Sequence, residues 1–164
     1  MNQIKYEGIV KIHYKYSHFT QLFYFYKVSS LTHQNTLFMK ESVTIPNAPA
    51  PIGPYSPAII IGNQLFVSGQ IPLDPQSGTF RNESIEEATT QVMENIKSLI
   101  IASGFTMENI VKCSIFIKDL NNFAAMNSIY ATYFEDCPPA RETVEISRLP
   151  MDAIVEISCI AIKG

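Results

Sequence analysis

Residues 154–162 read I-V-E-I-S-C-I-A-I, and their alternation decides the fold. In an extended strand successive side chains point to opposite faces. Ile154, Glu156, Ser158, Ile160 and Ile162 then share one face, and Val155, Ile157, Cys159 and Ala161 share the other. The second set is wholly apolar and belongs against a core. The first is apolar except where Glu156 and Ser158 interrupt it. A strand with two apolar faces sits inside a sheet that is covered on both sides.

Working outward from that strand, the sequence provides two helices as cover. Ser84 and Glu87 have capping-box spacing, and apolar residues at 85, 88, 92, 96, 99 and 100 form a helical stripe. Gly104 is placed to end that helix. A second amphipathic helix is predicted over 121–134, with Phe123, Met126, Tyr130 and Phe134 three or four residues apart. The remaining strands follow from alternation and turn chemistry. Ala58–Ile61 and Gln64–Ser68 flank a Gly62-Asn63 turn and form a hairpin. Residues 73–82 form a connection. Ile110–Ile117 is a strand with Val111, Cys113, Ile115 and Ile117 on one face, and Thr143–Ser147 is another. The order β-β-α-β-α-β-β is that of an α+β fold, a mixed β-sheet with two helices on one face. Two helices leave the second face open. Either a partner copy or residues 1–38 must cover it, and the expectation is a homo-oligomer.

The chain changes character near residue 39. Residues 1–38 hold five of the eight tyrosines and four of the ten phenylalanines, with no proline or arginine. Val10–Tyr16 alternates like a strand, so the segment reads either as an added strand or hairpin, or as an atypical extension of a domain that is complete over 39–164. Five prolines, at 46, 49, 51, 54 and 57, then make a rigid extended loop.

Composition narrows the class. At 164 residues the chain has room for one core, and 46% hydrophobic with 16% charged residues reads as globular. The net charge of −3 gives no support for binding nucleic acid through phosphates. Residues 1–40 carry five lysines and one glutamate, so residues 41–164 hold the other seven basic and fourteen acidic residues. Cys113, Cys137 and Cys159 are odd in number and lack metal-ligand spacing, which points to a reducing, cytoplasmic setting rather than a disulfide framework or a zinc site. No run approaches the ~20 apolar residues of a membrane span. His13, His18 and His33 all lie in the first 40 residues, so acid–base chemistry in the remainder falls to carboxylates.

Two charged residues stand out. In P-P-A-R-E-T-V-E-I-S-R-L-P, residues 138–150, two prolines and an alanine deliver Arg141 to the start of a strand. Glu156 lies in an apolar strand, where a carboxylate is costly to bury unless it is paired. The two are fifteen residues apart across a connection that a hairpin would close. One reading is a structural salt bridge. The other is a small-anion site, in which arginine's planar fork holds a carboxylate and Glu156 activates a water.

Over residues 48–164 the chain resembles the RidA/YjgF family of small imine deaminases. The resemblance rests on A-P-A-P-I-G-P-Y-S-P-A (48–58), V-S-G-Q-I-P (67–72), K-D-L-N-N-F (118–123) with Asn127, P-P-A-R (138–141), and V-E-I-S-R-L-P (144–150) followed by V-E-I (155–157). It does not extend to residues 1–38. It implies a chorismate-mutase-like fold assembled as a homotrimer, with the sheets packed into a central barrel and clefts between subunits. The implied reaction is hydrolysis of 2-imino acids or their enamine tautomers, of the 2-aminoacrylate and 2-iminobutyrate class, to 2-keto acids and ammonia, without metal or organic cofactor. By motif position, Arg141 is similar to the family's essential arginine and Glu156 to its water-positioning glutamate. Tyr55 would lie over the substrate. Ser68 and Gly69 would bring backbone close to its carboxylate, and Phe123 and Asn127 would line the pocket from the second helix. Thr143 stands where some relatives carry cysteine, which argues against nucleophilic cysteine catalysis. Glu142 follows the key arginine where many members have serine, and strand alternation should turn it away from Arg141. The resemblance also covers proteins described as translation inhibitors, ribonucleases or chaperone-like holdases, and a non-enzymatic carboxylate binder would keep Arg141 without needing Glu156.

Overall fold

The structure, a computed structural model, describes residues 39–43 and 53–164. The expectations for residues 1–38, including their role as cover for the sheet, lie outside the described residues, as do Pro46, Pro49 and Pro51. The described chain forms one six-stranded sheet and two helices. In chain order these are β1 (Glu41–Val43), β2 (Ala58–Ile61), β3 (Gln64–Gln70), α1 (Ile85–Ala102), β4 (Ile110–Ile117), α2 (Phe123–Ala131), β5 (Ala140–Glu145) and β6 (Val155–Ile162). The sheet order is β1-β2-β3-β6-β4-β5, antiparallel throughout except for the parallel β4–β5 pair at one edge. The expected α+β architecture with a mixed sheet is thus found.

β6 lies between β3 and β4, and its alternation is the one read from the sequence. Val155, Ile157, Cys159 and Ala161 are buried, while Glu156, Ser158 and Ile160 are only partly covered. The buried set joins Leu65 and Val67 of β3, Cys113, Ile115 and Ile117 of β4, and the inner faces of both helices in a single core. Ile85, Ala88, Val92, Ile96, Leu99 and Ile100 of α1 supply its helical side. On the opposite face Phe66, Val144 and Ile162 are each about two-fifths exposed, at 40%, 41% and 39%. That apolar strip is what the alternation of β6 led one to expect.

The termini of α1 follow their capping chemistry. The Ser84 hydroxyl accepts from the Glu87 amide at 3.1 Å. The reciprocal half of the expected capping box does not form, because the Glu87 carboxylate turns to Arg81, 3.5 Å away. At the other end Gly104 adopts φ 71°, and the Gly104 and Phe105 amides donate to the Ile101 and Ile100 carbonyls. This Schellman arrangement uses the left-handed conformation that glycine adopts without a steric cost.

Three expectations are corrected. The second helix begins at Phe123 rather than 121, after a short 3₁₀ turn over Leu120–Asn122, and ends at Ala131, although Tyr130 and Phe134 still stack at 4.9 Å. Val111 is exposed: the register of β4 against β6 shifts between Ile110 and Lys112, so Ile110 takes the buried place and Val111 becomes the extra residue of a bulge. The strand expected at Thr143–Ser147 starts three residues earlier, at Ala140, which puts Arg141 inside β5. No helix among the described residues is long and apolar enough to cross a membrane.

Ile115 sits at the middle of this core, fully buried, between Ile157 of β6 and Thr143 of β5. Replacing it with alanine is expected to cost about 2–5 kcal/mol, read as a lower urea midpoint at unchanged slope.

Candidate active site

Arg141 and Glu156 do not meet within one chain. They are separated by a whole strand, since β4 pairs with β5 on one side and β6 on the other. Arg141 is level with Cys113, and Glu156 with Phe116. Two strand spacings across and three residues along place their backbones about 14 Å apart. Alternation also sends them to opposite faces: Arg141 shares a face with Cys113 and Cys159, on the helix side, and Glu156 points to the open side. The hairpin expected between their strands is absent, because β5 runs parallel to β4 and the chain crosses back to reach β6. A salt bridge between the two residues is therefore ruled out within the chain. Among the described residues Arg141 has no ion-pair partner.

What surrounds Arg141 is aromatic and amide. Its Nη1 donates to Asn127 Oδ1 at 2.8 Å. Its guanidinium carbon stands 4.8 Å from the ring centre of Tyr130 and 5.6 Å from that of Phe123, both on α2. These are cation–π distances, and they orient the group without neutralising it. A guanidinium has five N–H donors, so most remain for an anion. Thr143, two residues on, points the same way, and its buried hydroxyl has no partner among the described residues. Tyr130 carries another of the three unpartnered buried hydroxyls among the described residues, beside the Cys113 thiol. Burial pushes the tyrosine's pKa upward, so it stays neutral. Four residues chosen from the sequence, Phe123, Asn127, Arg141 and Thr143, thus come together. Tyr130, assigned there only to the core, is part of the same group.

Glu142 behaves as alternation requires. Its carboxylate lies on the opposite face of β5, bonded to the Ser114 hydroxyl and the Lys112 ammonium, and these hold its pKa below the usual range. It does not compete for Arg141.

The second group lines a cleft of about 500 Å³ formed by Tyr55, Ser68, Gly69, Ile71, Pro150, Met151 and Glu156. The register of β3 against β6 shifts between Val67 and Gln70, so Ser68 and Gly69 form a bulge beside Glu156. The Ser68 hydroxyl donates to the Ser56 carbonyl at 2.8 Å, and the Ser68 amide donates to the Pro57 carbonyl at 3.0 Å. Ser68 therefore anchors the loop that presents Tyr55, which is 54% exposed over the cleft. The absence of a side chain at Gly69 leaves room for Glu156. A Cβ there would fall 1.8 Å from Glu156 Oε1 and 2.7 Å from its carboxyl carbon. The space above Gly69 is filled by the glutamate itself. Burial raises the Glu156 pKa above the ordinary 4.5, and no hydrogen-bond partner offsets that effect among the described residues. Ile71, Pro150 and Met151 carried no site signal in the sequence.

Each chain thus carries two separate groups, a guanidinium without an ion-pair partner among the described residues at the β5 edge and a carboxylate cleft on the other face of the sheet. Among the described residues no cluster of three or more His, Cys, Asp or Glu forms a metal site.

The contact between Gly69 and Glu156 gives a direct test. Gly69→Ala should expel the carboxylate toward water, and the Glu156 pKa should fall back toward 4.5 in a ¹³C NMR titration. An unchanged titration would show that the carboxylate does not pack there.

Comparison with known proteins places this arrangement. The family model described as endoribonuclease L-PSP matches residues 45–163. A RutC family protein of Pyrococcus horikoshii is 50% identical over 125 residues, covering 76% of this chain and 99% of that one. Reactive Intermediate Deaminase A, chloroplastic, of Arabidopsis thaliana is 42% identical over 133 residues, covering 81% of this chain and 71% of that one. The crystal structure of E. coli TdcF with bound serine superimposes with a TM-score of 0.72 at 35% identity, over 76% of this chain and 99% of that one. With the fold, the motif positions and these relatives in agreement, the chain belongs to the RidA/YjgF family, whose family model is endoribonuclease L-PSP.

Proposed function

We propose that the protein hydrolyses 2-imino acids, or their enamine tautomers, to 2-keto acids and ammonia, at a site assembled from two copies of the chain. The observation that carries this reading is Arg141, a guanidinium gripped by Asn127, Tyr130 and Phe123 yet without a carboxylate among the described residues. Such a group is prepared for an external anion. A relative named Reactive Intermediate Deaminase A and another crystallised with serine, a small amino acid, fit a substrate of that size.

One chain cannot apply both Arg141 and Glu156 to a molecule as small as an imino acid. Among the described residues β5 is an edge strand with one side unpaired, and the open face carries exposed apolar residues at Val144 of β5, Phe66 of β3 and Ile162 of β6. Packing the β5 edge of one copy against the open face of the next brings an Arg141 group to a Glu156 cleft. Because two different surfaces meet, the contact is head-to-tail, which forms a closed ring when the rotation between copies closes. The homotrimer implied by the family resemblance is the ring we propose.

The chemistry then needs little of the protein. Arg141 binds the substrate carboxylate and fixes the imine carbon, which is already electrophilic. A water beside Glu156 attacks that carbon while Glu156 takes its proton, giving a carbinolamine. Glu156 returns the proton to nitrogen, the C–N bond breaks as Glu156 takes the proton of the carbinolamine hydroxyl, and ammonia leaves as the keto group forms. A positioned base contributes about 10²–10⁴-fold. Burial of Glu156 makes it a stronger base than a solvated glutamate. The hydroxyl of Tyr55 is available to the departing nitrogen.

Imines generated in situ test the reading. Wild type should speed keto-acid release above the spontaneous rate, Arg141→Ala should raise KM steeply, and Glu156→Gln should lower kcat about 10²-fold or more. The wild-type rate should fall as pH drops through the raised Glu156 pKa, since only the ionised form accepts the proton; that midpoint lies above 4.5. A carboxylate binder without catalysis would leave the spontaneous rate unchanged in every sample. Refolding the two inactive variants together should restore about a quarter of the wild-type activity, the fraction of random neighbour pairs that join one intact Arg141 to one intact Glu156. No restoration would place both residues' work in a single chain.

A further inference from the structure

The cleft that holds Glu156 has a wall that the hydrolysis itself does not use. Ile71, Pro150 and Met151 form it, and all three are apolar. Met151 is held there in an uncommon way. Its backbone lies in the left-handed region at φ 55°, ψ 23°, and Asp152 follows at φ 56°. Two consecutive non-glycine residues in that region persist only where the surroundings over-determine them, and such places cluster at ligand sites.

Neighbouring residues supply that constraint. Arg148 grips the Asp152 carboxylate through two hydrogen bonds, at 2.7 and 3.1 Å. Asn82 reaches across from the connection before α1, donating to the Asp152 carbonyl at 3.2 Å and accepting from the Ile154 amide at 3.0 Å. Leu149, just before the turn, is buried. The turn is therefore pinned on both sides of Met151, while Met151 itself is 51% exposed. Ile71 is fixed as well, since Asn95 of α1 donates to the Ile71 carbonyl at 3.2 Å and the Leu73 carbonyl at 2.8 Å. A methionine that merely filled core space would not need a strained, braced turn to leave it half exposed beside the candidate base.

We infer that Met151, backed by Ile71 and Pro150, is the specificity-determining wall for the substrate side chain, and that it favours 2-imino acids with extended aliphatic or thioether side chains over 2-iminopropanoate. This rests on the imine-hydrolysis reading. An imine carbon carries three substituents. The carboxylate belongs to Arg141, and the nitrogen and attacking water belong to the polar part of the cleft at Glu156 and Tyr55. Only the side chain remains; the Phe123 and Tyr130 rings are taken up by the Arg141 guanidinium, and on the Glu156 side the apolar wall is the surface left for it. A methyl group reaches little of that wall, whereas a flexible unbranched chain can lie along a flexible thioether.

The test uses imines generated in situ by an L-amino-acid oxidase, one from alanine and one from norleucine, and compares kcat/KM between them. Wild type should favour the norleucine-derived imine. Met151→Asn removes the apolar arm and keeps a residue tolerant of left-handed backbone. It should lower that preference about tenfold, read as a larger loss of kcat/KM on the norleucine-derived imine than on the alanine-derived one. Met151→Leu should restore the preference. If the asparagine variant folds poorly, Met151→Gly, which relaxes the backbone, gives the same comparison. A preference unchanged by the substitutions, or a parallel loss on both imines, overturns the inference while leaving the hydrolysis reading intact. A wild type that hydrolyses neither imine overturns the hydrolysis reading itself, and the specificity wall with it.

Discussion

In β6 the parity of a residue decides whether its side chain belongs to the core or to the cleft. The strand is hydrogen-bonded on both sides, to β3 and to β4, so it cannot slip by one residue without turning every side chain to the wrong face. Val155, Ile157, Cys159 and Ala161 hold it in register by filling the helix side. Glu156 is carried along by that constraint. Its carboxylate emerges on the open face, where the bulge at Ser68 and Gly69 makes room for it. The position of the candidate base is thus a consequence of core packing on the other side of the sheet.

The two charged groups are held in place by opposite means. Glu156 is held by burial without a hydrogen-bond partner among the described residues, which raises its pKa above the ordinary glutamate value and makes it a stronger base. Arg141 is held by π faces and one amide oxygen, which fix its direction and leave its charge unspent. A carboxylate in place of Asn127 would hold the guanidinium more firmly but would fill the place a substrate needs. Asn127 accepts one hydrogen bond and brings no competing charge, so it serves position without inhibition.

Much of this was legible in the residues, and the failures have physical causes. Alternation in 154–162 and the helical stripe after Ser84 were read correctly because both are local periodicities backed by burial. Motif positions brought Arg141 together with Asn127, Phe123 and Thr143, and Glu156 with Tyr55, Ser68 and Gly69. The separation of those two groups was missed. Whether strands fifteen residues apart form a hairpin or flank a third strand is a matter of topology, which short spacing does not determine. Tyr130 was hidden by serving the core and the site at once. Met151 was hidden because a left-handed methionine has no sequence signal; only the bracing by Arg148 and Asn82 reveals it.

Glu142 shows how far alternation alone can protect a site. A glutamate next to the anion-binding arginine in sequence is the least suitable neighbour on charge alone. The pleat of β5 turns it to the open face, where Lys112 and Ser114 of β4 engage its carboxylate. Those two contacts hold its pKa below the usual carboxylate range, and crossing to Arg141 would mean giving up both. The same two-residue period that exposes Glu156 on one strand therefore shields Arg141 on another. A single sheet thereby sorts three charged side chains into a core-side clamp, an open-face base and a surface pair.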